Sequence, residues 1–250
     1  MGKQVLIIGA GASGMTAAIH AARAGAQVTI LEHKDRAGKK ILSTGNGRCN
    51  FTNLNQKDAC YRCGVPGFPM EALDRFPVKD TLDFFRELGI LAKDRNGYVY
   101  PNSDQASSVL DALLQELEHL SVKVQYQCNI SSVTKKEGRF LVSSDKGQYR
   151  GHALILAAGS KAAPVTGSDG SGYGLAADFG HRIITPLPAL VQLRCRERHY
   201  KKLAGVRSDG EIRLYVEGKP AASDVGELQL TDYGISGIPT FQVSRYASVA

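Results

Sequence analysis

The run Gln4-Val-Leu-Ile-Ile8 leads straight into Gly9-Ala-Gly11-Ala-Ser-Gly14, and this junction constrains the fold more tightly than any other feature of the chain. A β-branched run without polar alternation is the mark of a strand covered on both faces, as in a parallel sheet. A helix is predicted from Ser13 to Ala24, closed by Gly25, and Gln27-Val-Thr-Ile-Leu31 is a second buried strand that ends at Glu32. Residues 4–32 therefore read as one βαβ unit. Gly9 permits the sharp turn off the strand, Gly11 lets a pyrophosphate approach the backbone, and Gly14 lets helix and strand pack closely. Free N–H groups around Ala12 and Ser13 offer an anion the positive end of the helix. Glu32, 21 residues after Gly11, accepts hydrogen bonds from ribose hydroxyls and repels a 2′-phosphate. The unit predicts dinucleotide binding on an α/β fold and disfavours NADP at this position.

Residues 33–69 are rich in Gly, Asn, Lys and Pro and show little periodicity, which reads as a binding segment rather than a connector. Around 71–120 the pattern turns helical. Phe84, Phe85 and Leu88 mark one helix, Asn96-Gly97 marks a hairpin, and Val109, Leu110, Leu113, Leu114, Leu117 and Leu120 form the stripe of a helix capped near Ser103. From 122 onward the strands Val122–Gln127, Ile130–Thr134, Phe140–Ser144 and Gln148–Arg150 read as a β-meander with turns at Glu137-Gly138 and Lys146-Gly147. Another buried strand, His152 to Gly159, precedes Gly167, Gly170, Gly172 and Gly174, which lie ahead of a short helix. A meander followed by a strand into Ala157-Ala158-Gly159 is how FAD-binding domains of two-dinucleotide flavoproteins continue. An NAD dehydrogenase would add further βα units instead, so FAD is the expected cofactor, with Gly159 beside it. Gly170-Ser-Gly172-Tyr-Gly174 lies well beyond its strand and lacks an acid-ended second strand, so a nicotinamide would have to dock directly against the flavin.

The expected architecture is α/β: a Rossmann-like FAD-binding domain at 1–186 with a meander and a helical and hairpin insertion at about 54–120, then part of an inserted β-rich domain at 187–250. In the second domain, turns are expected at Asp209-Gly210 and Glu217-Gly218. A helix starting at Ser236-Gly-Ile-Pro239 continues through Thr240 to Ala250 without a stop signal, so that domain reads as incomplete.

With 250 residues, 43% apolar and 22% charged, the chain can bury a sizeable core without disulfides or a metal, and disorder, collagen and coiled coil are excluded. The five cysteines, an odd number without an evident secretory signal, point to a reducing, cytoplasmic setting. Cys60-Tyr-Arg-Cys63 reads as loop thiols; a working dithiol or half a zinc site are the alternatives, but no second pair completes four ligands, so no metal is expected. No stretch approaches the roughly 20 apolar residues of a membrane helix. Of the net charge of +7, residues 194–202 hold +4. That stretch reads first as a solvated edge and second as an anion-attracting patch; without an RNA- or DNA-binding motif, no nucleic-acid partner is expected.

The segment Gly38-Lys-Lys-Ile-Leu-Ser-Thr-Gly-Asn-Gly-Arg-Cys-Asn-Phe-Thr-Asn53 resembles the signature of the YhiN/BaiN flavoproteins, a family that includes aminoacetone oxidases and a bile-acid-inducible member. The resemblance extends through Tyr98-Val-Tyr-Pro-Asn-Ser-Asp-Gln-Ala-Ser107 and Leu228-Gln-Leu-Thr-Asp-Tyr-Gly-Ile-Ser-Gly237, covering nearly the whole chain. The departures are Ala157-Ala-Gly-Ser160, where the family often has ATGG, and Thr231-Asp-Tyr-Gly234, where it has Thr-His-Tyr/Arg-Gly. Members are longer and return to the FAD domain near their C-terminus, so the resemblance implies that part of the insert and the last FAD-contacting segment are missing here. In the 38–53 loop, Gly45 and Gly47 would let the backbone approach a flat ring. Lys40 and Arg48 would place positive charge near phosphate or the flavin N1, stabilising the reduced flavin. Cys49 reads as a small buried filler there, with a redox partner as the alternative. Backbone at Val133 is where similar flavoproteins hold the adenine.

The resemblance implies an FAD-dependent, NAD(P)H-linked reductase of a 3-oxo-Δ4,6 steroid or bile acid, a small-molecule substrate for which an anionic steroid is one candidate. The alternatives are a flavin amine oxidase of aminoacetone type, an RNA-modifying flavoprotein and a non-catalytic flavin sensor. A proton donor for enone reduction is sought among Tyr98, Tyr100, Tyr173 and Tyr233.

Overall fold

A computed structural model describes residues 2–197 and 199–250. The chain divides into two compact units, Met1–Ile183 and Ile184–Ala250. The first unit runs β1 (Gln4–Ile8), α1 (Ala12–Arg23), β2 (Gln27–Leu31), β3 (Thr52–Asn53), α2 (Phe68–Leu73), α3 (Val78–Glu87), β4 (Ala92–Arg95), β5 (Tyr98–Pro101) and α4 (Ala106–His119). It continues through β6 (Lys123–Gln125), β7 (Ile130–Lys136), β8 (Arg139–Ser144), β9 (Gly147–Gly151), β10 (Ala153–Leu156) and α5 (Ser171–Ala177).

A parallel sheet in the order β10-β1-β2-β6 forms the centre of this unit. Because side chains alternate across a strand, β1 feeds two cores at once. Val5 and Ile7 join Met15 and Ile19 of α1 and Val109, Leu110, Leu113 and Leu117 of α4. Leu6 and Ile8 face the other way, toward Leu31, Cys128, Val133 and Val142 under the meander β7-β8-β9. Ile7, Met15, Ile19, Ile30 and Leu113 are fully buried. Each contributes about 1.5–3 kcal/mol of apolar burial. The small sheet β3-β5-β4 holds the hairpin expected at Asn96-Gly97, and both residues have positive φ (54° and 88°), as a tight two-residue turn requires.

Several local expectations are corrected. The strand read as Val122–Gln127 is shorter and is not the first strand of the meander: β6 pairs in parallel with β2, because Val122, Val124 and Tyr126 pack onto the helix-covered core. Helix α4 begins at Ala106 with Gln105 before it and no side-chain cap; the Ser103 hydroxyl instead pairs with that of Ser108 at 2.9 Å. Gly172 and Gly174 lie inside α5 rather than ahead of it. A Cβ at Gly172 would stand 2.9 Å from that of Ala158, so glycine there lets the helix approach the strand end.

The second unit contains β11 (Leu193–Arg194), α6 (Tyr200–Leu203), β12 (Arg207–Val216), β13 (Lys219–Thr231), β14 (Gly234–Gly237) and α7 (Ile238–Val249). Its antiparallel sheet has the order β11-β14-β13-β12, and α7 packs on β12 and β13, burying Thr240, Val243 and Ser244. Glu217-Gly218 is the turn expected. Asp209-Gly210 is not a turn. Gly210 lies within β12 opposite Gly226, and Leu228 Cδ1 occupies the space beside it, 3.1 Å from where a Cβ would stand.

Candidate functional site

Where β1 meets α1, the first unit opens into a cavity of about 1110 Å³. This is at the upper end of small-molecule sites, which run to about 1,000 Å³. The turn that shapes it depends on glycine at two points. Gly9 has φ +104°, and a Cβ there would lie 2.4 Å from the Ala157 carbonyl oxygen; a Cβ on Gly14 would lie 1.9 Å from the Gly9 oxygen. Gly11 differs, since nothing stands within 4 Å of where its Cβ would be, and it lines the cavity with Ala12 and Ser13. No side chain caps α1, and its first turn carries no acid. Its N–H groups and positive end therefore face the cavity, as an anion site requires.

Glu32 directly follows β2, is buried to 7% exposure and is held at both oxygens. Oε2 accepts from the Ala10 N–H at 2.7 Å and Oε1 from the Lys34 N–H at 2.8 Å. The carboxylate thus ties the glycine turn to the chain leaving β2 while lining the cavity. His33 Nδ1 stands 3.6 Å from Glu32 Oε1, and its Nε2, buried and without a hydrogen-bond partner, stands 4.0 Å from Asp169 Oδ2.

Of the residues expected at the site, Gly9, Gly11, Ala12, Ser13, Glu32, Lys40 and Gly159 line the cavity. Gly14 is buried beneath the turn. Gly45, Gly47 and Arg48 are not on the wall: a Cβ at Gly45 would meet the Asn50 backbone at 2.7 Å and the Tyr100 ring at 3.1 Å, so this glycine serves packing inside the loop. The wall is formed by their neighbours Lys40, Ile41, Thr44, Cys49, Asn50 and Phe51. Val133 points into the core under the meander, and the same chain segment reaches the wall earlier, at Cys128 to Ser131. Tyr98, Tyr100 and Tyr173 of the first unit do not lie on the wall; Tyr98 is 51% exposed and Tyr100 stacks beneath Arg95, while Tyr233, in the second unit, stacks beneath Arg194.

Sequence reasoning missed His33, Asp169 and an aromatic end of the cavity. There His20 stacks on Phe84 with centroids 5.1 Å apart, and Phe51 and Phe85 are 4.7 Å apart. In the sequence Phe84 and Phe85 read only as marks of a helix, and Phe51 only as part of the 38–53 segment. His33 and Asp169 lie 136 residues apart, and no local pattern links them.

Cys49 has a positive φ of 60° and is buried beside Thr44; burial pushes its thiol pKa up, which keeps it protonated. Cys128 is also buried, whereas Cys60 and Cys63 are exposed and free. Under native conditions Cys60 and Cys63 should react with a thiol reagent at least tenfold faster than Cys49 and Cys128, as read by mass spectrometry over time. Fast labelling of Cys49 would contradict the described wall. Among the described residues, no three His, Cys, Asp or Glu groups converge as a metal site needs, and no helix is long and apolar enough to cross a membrane.

Residues 3–245 match the family model described as the HI0933-like protein Rossmann domain. The chain is 46% identical over 96% of its length to a 3-dehydro-bile acid delta(4,6)-reductase of Clostridium scindens, of which it covers 59%. It is 30% identical over 96% of its length to a ribosomal RNA dihydrouridine synthase of Haemophilus influenzae, of which it covers 61%. The chain thus spans about 60% of the length of the curated relatives it matches. Among solved structures, the 3-ketosteroid-delta4-(5alpha)-dehydrogenase of Rhodococcus jostii RHA1 shares the fold with a TM-score of 0.56 at 14% identity, over 83% of this chain and 60% of that one.

Proposed function

Since the chain belongs to the HI0933-like family of Rossmann-domain proteins, we propose that it acts as an FAD-dependent oxidoreductase. In this reading it reduces a carbon–carbon double bond conjugated to a ketone in a 3-oxo-Δ4,6 steroid of bile-acid type, with NAD(P)H as donor. The observation that carries the reading is the 46% identity to a bile-acid delta(4,6)-reductase across nearly the whole chain.

The cavity fits FAD on three counts. Gly11 leaves open the space a Cβ would fill, the start of α1 is uncapped, and Glu32 and His33 present polar atoms one strand away. The N–H groups of Ala12 and Ser13 would hold the pyrophosphate and Glu32 a ribose hydroxyl. When bound, FAD supplies hydride transfer between the nicotinamide and the substrate. Lys40 adds positive charge to the wall, and the end lined by Phe51, Phe84 and Phe85 would exclude water from a bound ring. The setting proposed is the cytoplasm and the substrate a small, acidic molecule. Arg194, Arg196, Lys201 and Lys202 of the second unit would attract it; Arg198 of the same basic stretch lies outside the described residues.

Purified protein with FAD is expected to show a visible flavin band that bleaches on anaerobic addition of NADH and recovers with a 3-oxo-Δ4,6 steroid. A band that NADH leaves intact, while aminoacetone with oxygen turns over, would replace the reductase by an amine oxidase.

A second reading has its own observation. Uridine, like the steroid enone, carries an alkene conjugated to a carbonyl, and two relatives named for dihydrouridine synthesis in ribosomal RNA are each 30% identical. The second unit carries a cation over a ring, Arg194 over Tyr233, and a stacked ring pair, His199 on Tyr200, features that single-stranded RNA sites use. Steeply salt-dependent RNA binding together with no turnover of steroid enones would favour it over the first reading.

A further inference from the structure

Beyond the residues of the glycine turn, we infer that His33 and Asp169 form a clasp over the adenosine end of the cavity, recognising a ribose hydroxyl and closing that end when an adenine dinucleotide is bound. This rests on the adenine-dinucleotide reading of the cavity and names residues which neither the fingerprint nor the 38–53 loop includes.

His33 stands between two anchored carboxylates. On one side Glu32 is fixed by two backbone N–H groups, and its Oε1 lies 3.6 Å from His33 Nδ1. On the other, the Ser171 side chain, together with the Ser171 N–H that donates to Asp169 Oδ1 at 2.9 Å, holds the Asp169 carboxyl below its usual range and therefore ionised. Asp169 Oδ2 remains 4.0 Å from His33 Nε2. That gap exceeds a hydrogen bond. His33 Nε2 is nevertheless buried and unpartnered, an arrangement that costs free energy unless another group enters. A hydroxyl, which accepts and donates at once, satisfies both sides of such a gap; a phosphate, which only accepts, would meet Asp169 as a like charge.

The surrounding chain is shaped to the same end. The turn before α5 is closed by the bridge between Ala163 and Ser168, and Gly167 has φ +108°. A Cβ at Gly167 would stand in ordinary contact, 3.4 Å from His33 Cε1 and 3.5 Å from Lys34, so the turn lies directly against the imidazole and it is the positive φ that calls for glycine. His33, Thr166, Gly167, Ser168 and Asp169 all line the cavity. The clasp thus joins the end of β2 to the segment after β10, on opposite sides of β1.

The test is to titrate the purified protein, stripped of any flavin, with FAD, FMN and ADP by fluorescence and calorimetry, comparing the wild type with His33→Leu, His33→Gln and Asp169→Asn. Asp169→Asn keeps an oxygen for the Ser171 N–H, so it leaves the turn capped. His33→Leu and Asp169→Asn are expected to weaken FAD and ADP about 10- to 100-fold, the loss of one hydrogen bond to a charged group. FMN, which lacks the adenosine, should change less than twofold, and His33→Gln should recover part of the loss. Equal losses of FMN and FAD, or FAD binding unchanged in both His33→Leu and Asp169→Asn, would overturn the clasp. ADP binding without flavin binding would retain the clasp and remove the FAD reading; a folded wild type that binds neither FAD nor ADP would remove both.

Discussion

Gly14→Ala is expected to cost at least about 3 kcal/mol of stability, because its methyl group would be forced to within 1.9 Å of the Gly9 carbonyl oxygen. The obstacle is the Gly9 backbone rather than a flexible side chain, so α1 would have to move away from the strand end, which uncouples Met15 and Ile19 from the core beneath β1. Gly11→Ala is the informative partner. Its Cβ meets nothing within 4 Å, and its φ of −80° is open to any residue, so stability should stay within about 0.5 kcal/mol. The new methyl would instead occupy the cradle, and FAD affinity should fall at least about tenfold, the weight of one displaced close contact. Urea unfolding and FAD titration of the two variants separate these roles. If Gly11→Ala destabilised the protein as much as Gly14→Ala while sparing FAD, the assignment of packing to one glycine and ligand approach to the other would be wrong.

The second large effect is expected at Glu32. Glu32→Leu removes both acceptors that hold the Ala10 and Lys34 N–H groups, the first of them buried. Each orphaned buried donor costs about 1–3 kcal/mol, so a loss of about 2–5 kcal/mol is expected in thermal or urea unfolding, with FAD affinity down more than about 100-fold. Glu32→Gln keeps one carbonyl oxygen and should recover roughly half of the stability. A Glu32→Leu variant as stable as wild type would show that the carboxylate does not organise the turn, and the ribose role would then have to rest on binding data alone.

The fingerprint and its supporting strands were legible because their constraints are local. A glycine that must turn off a strand, a helix that follows at once and an acid at the end of the next strand are set by neighbours in sequence, and β1 and β2 occupy the spans read for them. Elements whose partners lie far away were misplaced. Val122, Val124 and Tyr126 carry the alternation of any half-buried strand, and only pairing with β2 shows that they extend the parallel sheet rather than begin the meander. Gly210 looks like a turn residue in sequence, yet it is a gap filled by Leu228 from the opposite strand. In the 38–53 loop, glycines and a basic residue look like ligand contacts. The fold spends Gly45 on its own packing, keeps Arg48 off the wall, and presents Thr44, Cys49 and Asn50 to the cavity beside Lys40.

The sequence by itself determined the βαβ fingerprint, β1 as a strand covered on both faces, the hairpin at Asn96-Gly97 and the family, because each depends on short-range sterics, composition or an uninterrupted motif. Only the tertiary structure decided which atoms meet around the cavity. His33, beside Glu32 in sequence, gains its second carboxylate from Asp169, 136 residues on, because the turn before α5 folds back beside the end of β2. The Val133 side chain and the first-unit tyrosines Tyr98, Tyr100 and Tyr173 are kept from the cavity wall by the packing and register of the strands and helices that carry them. A side chain's chemistry is written in the sequence, but the direction in which it points is set by contacts distant along the chain.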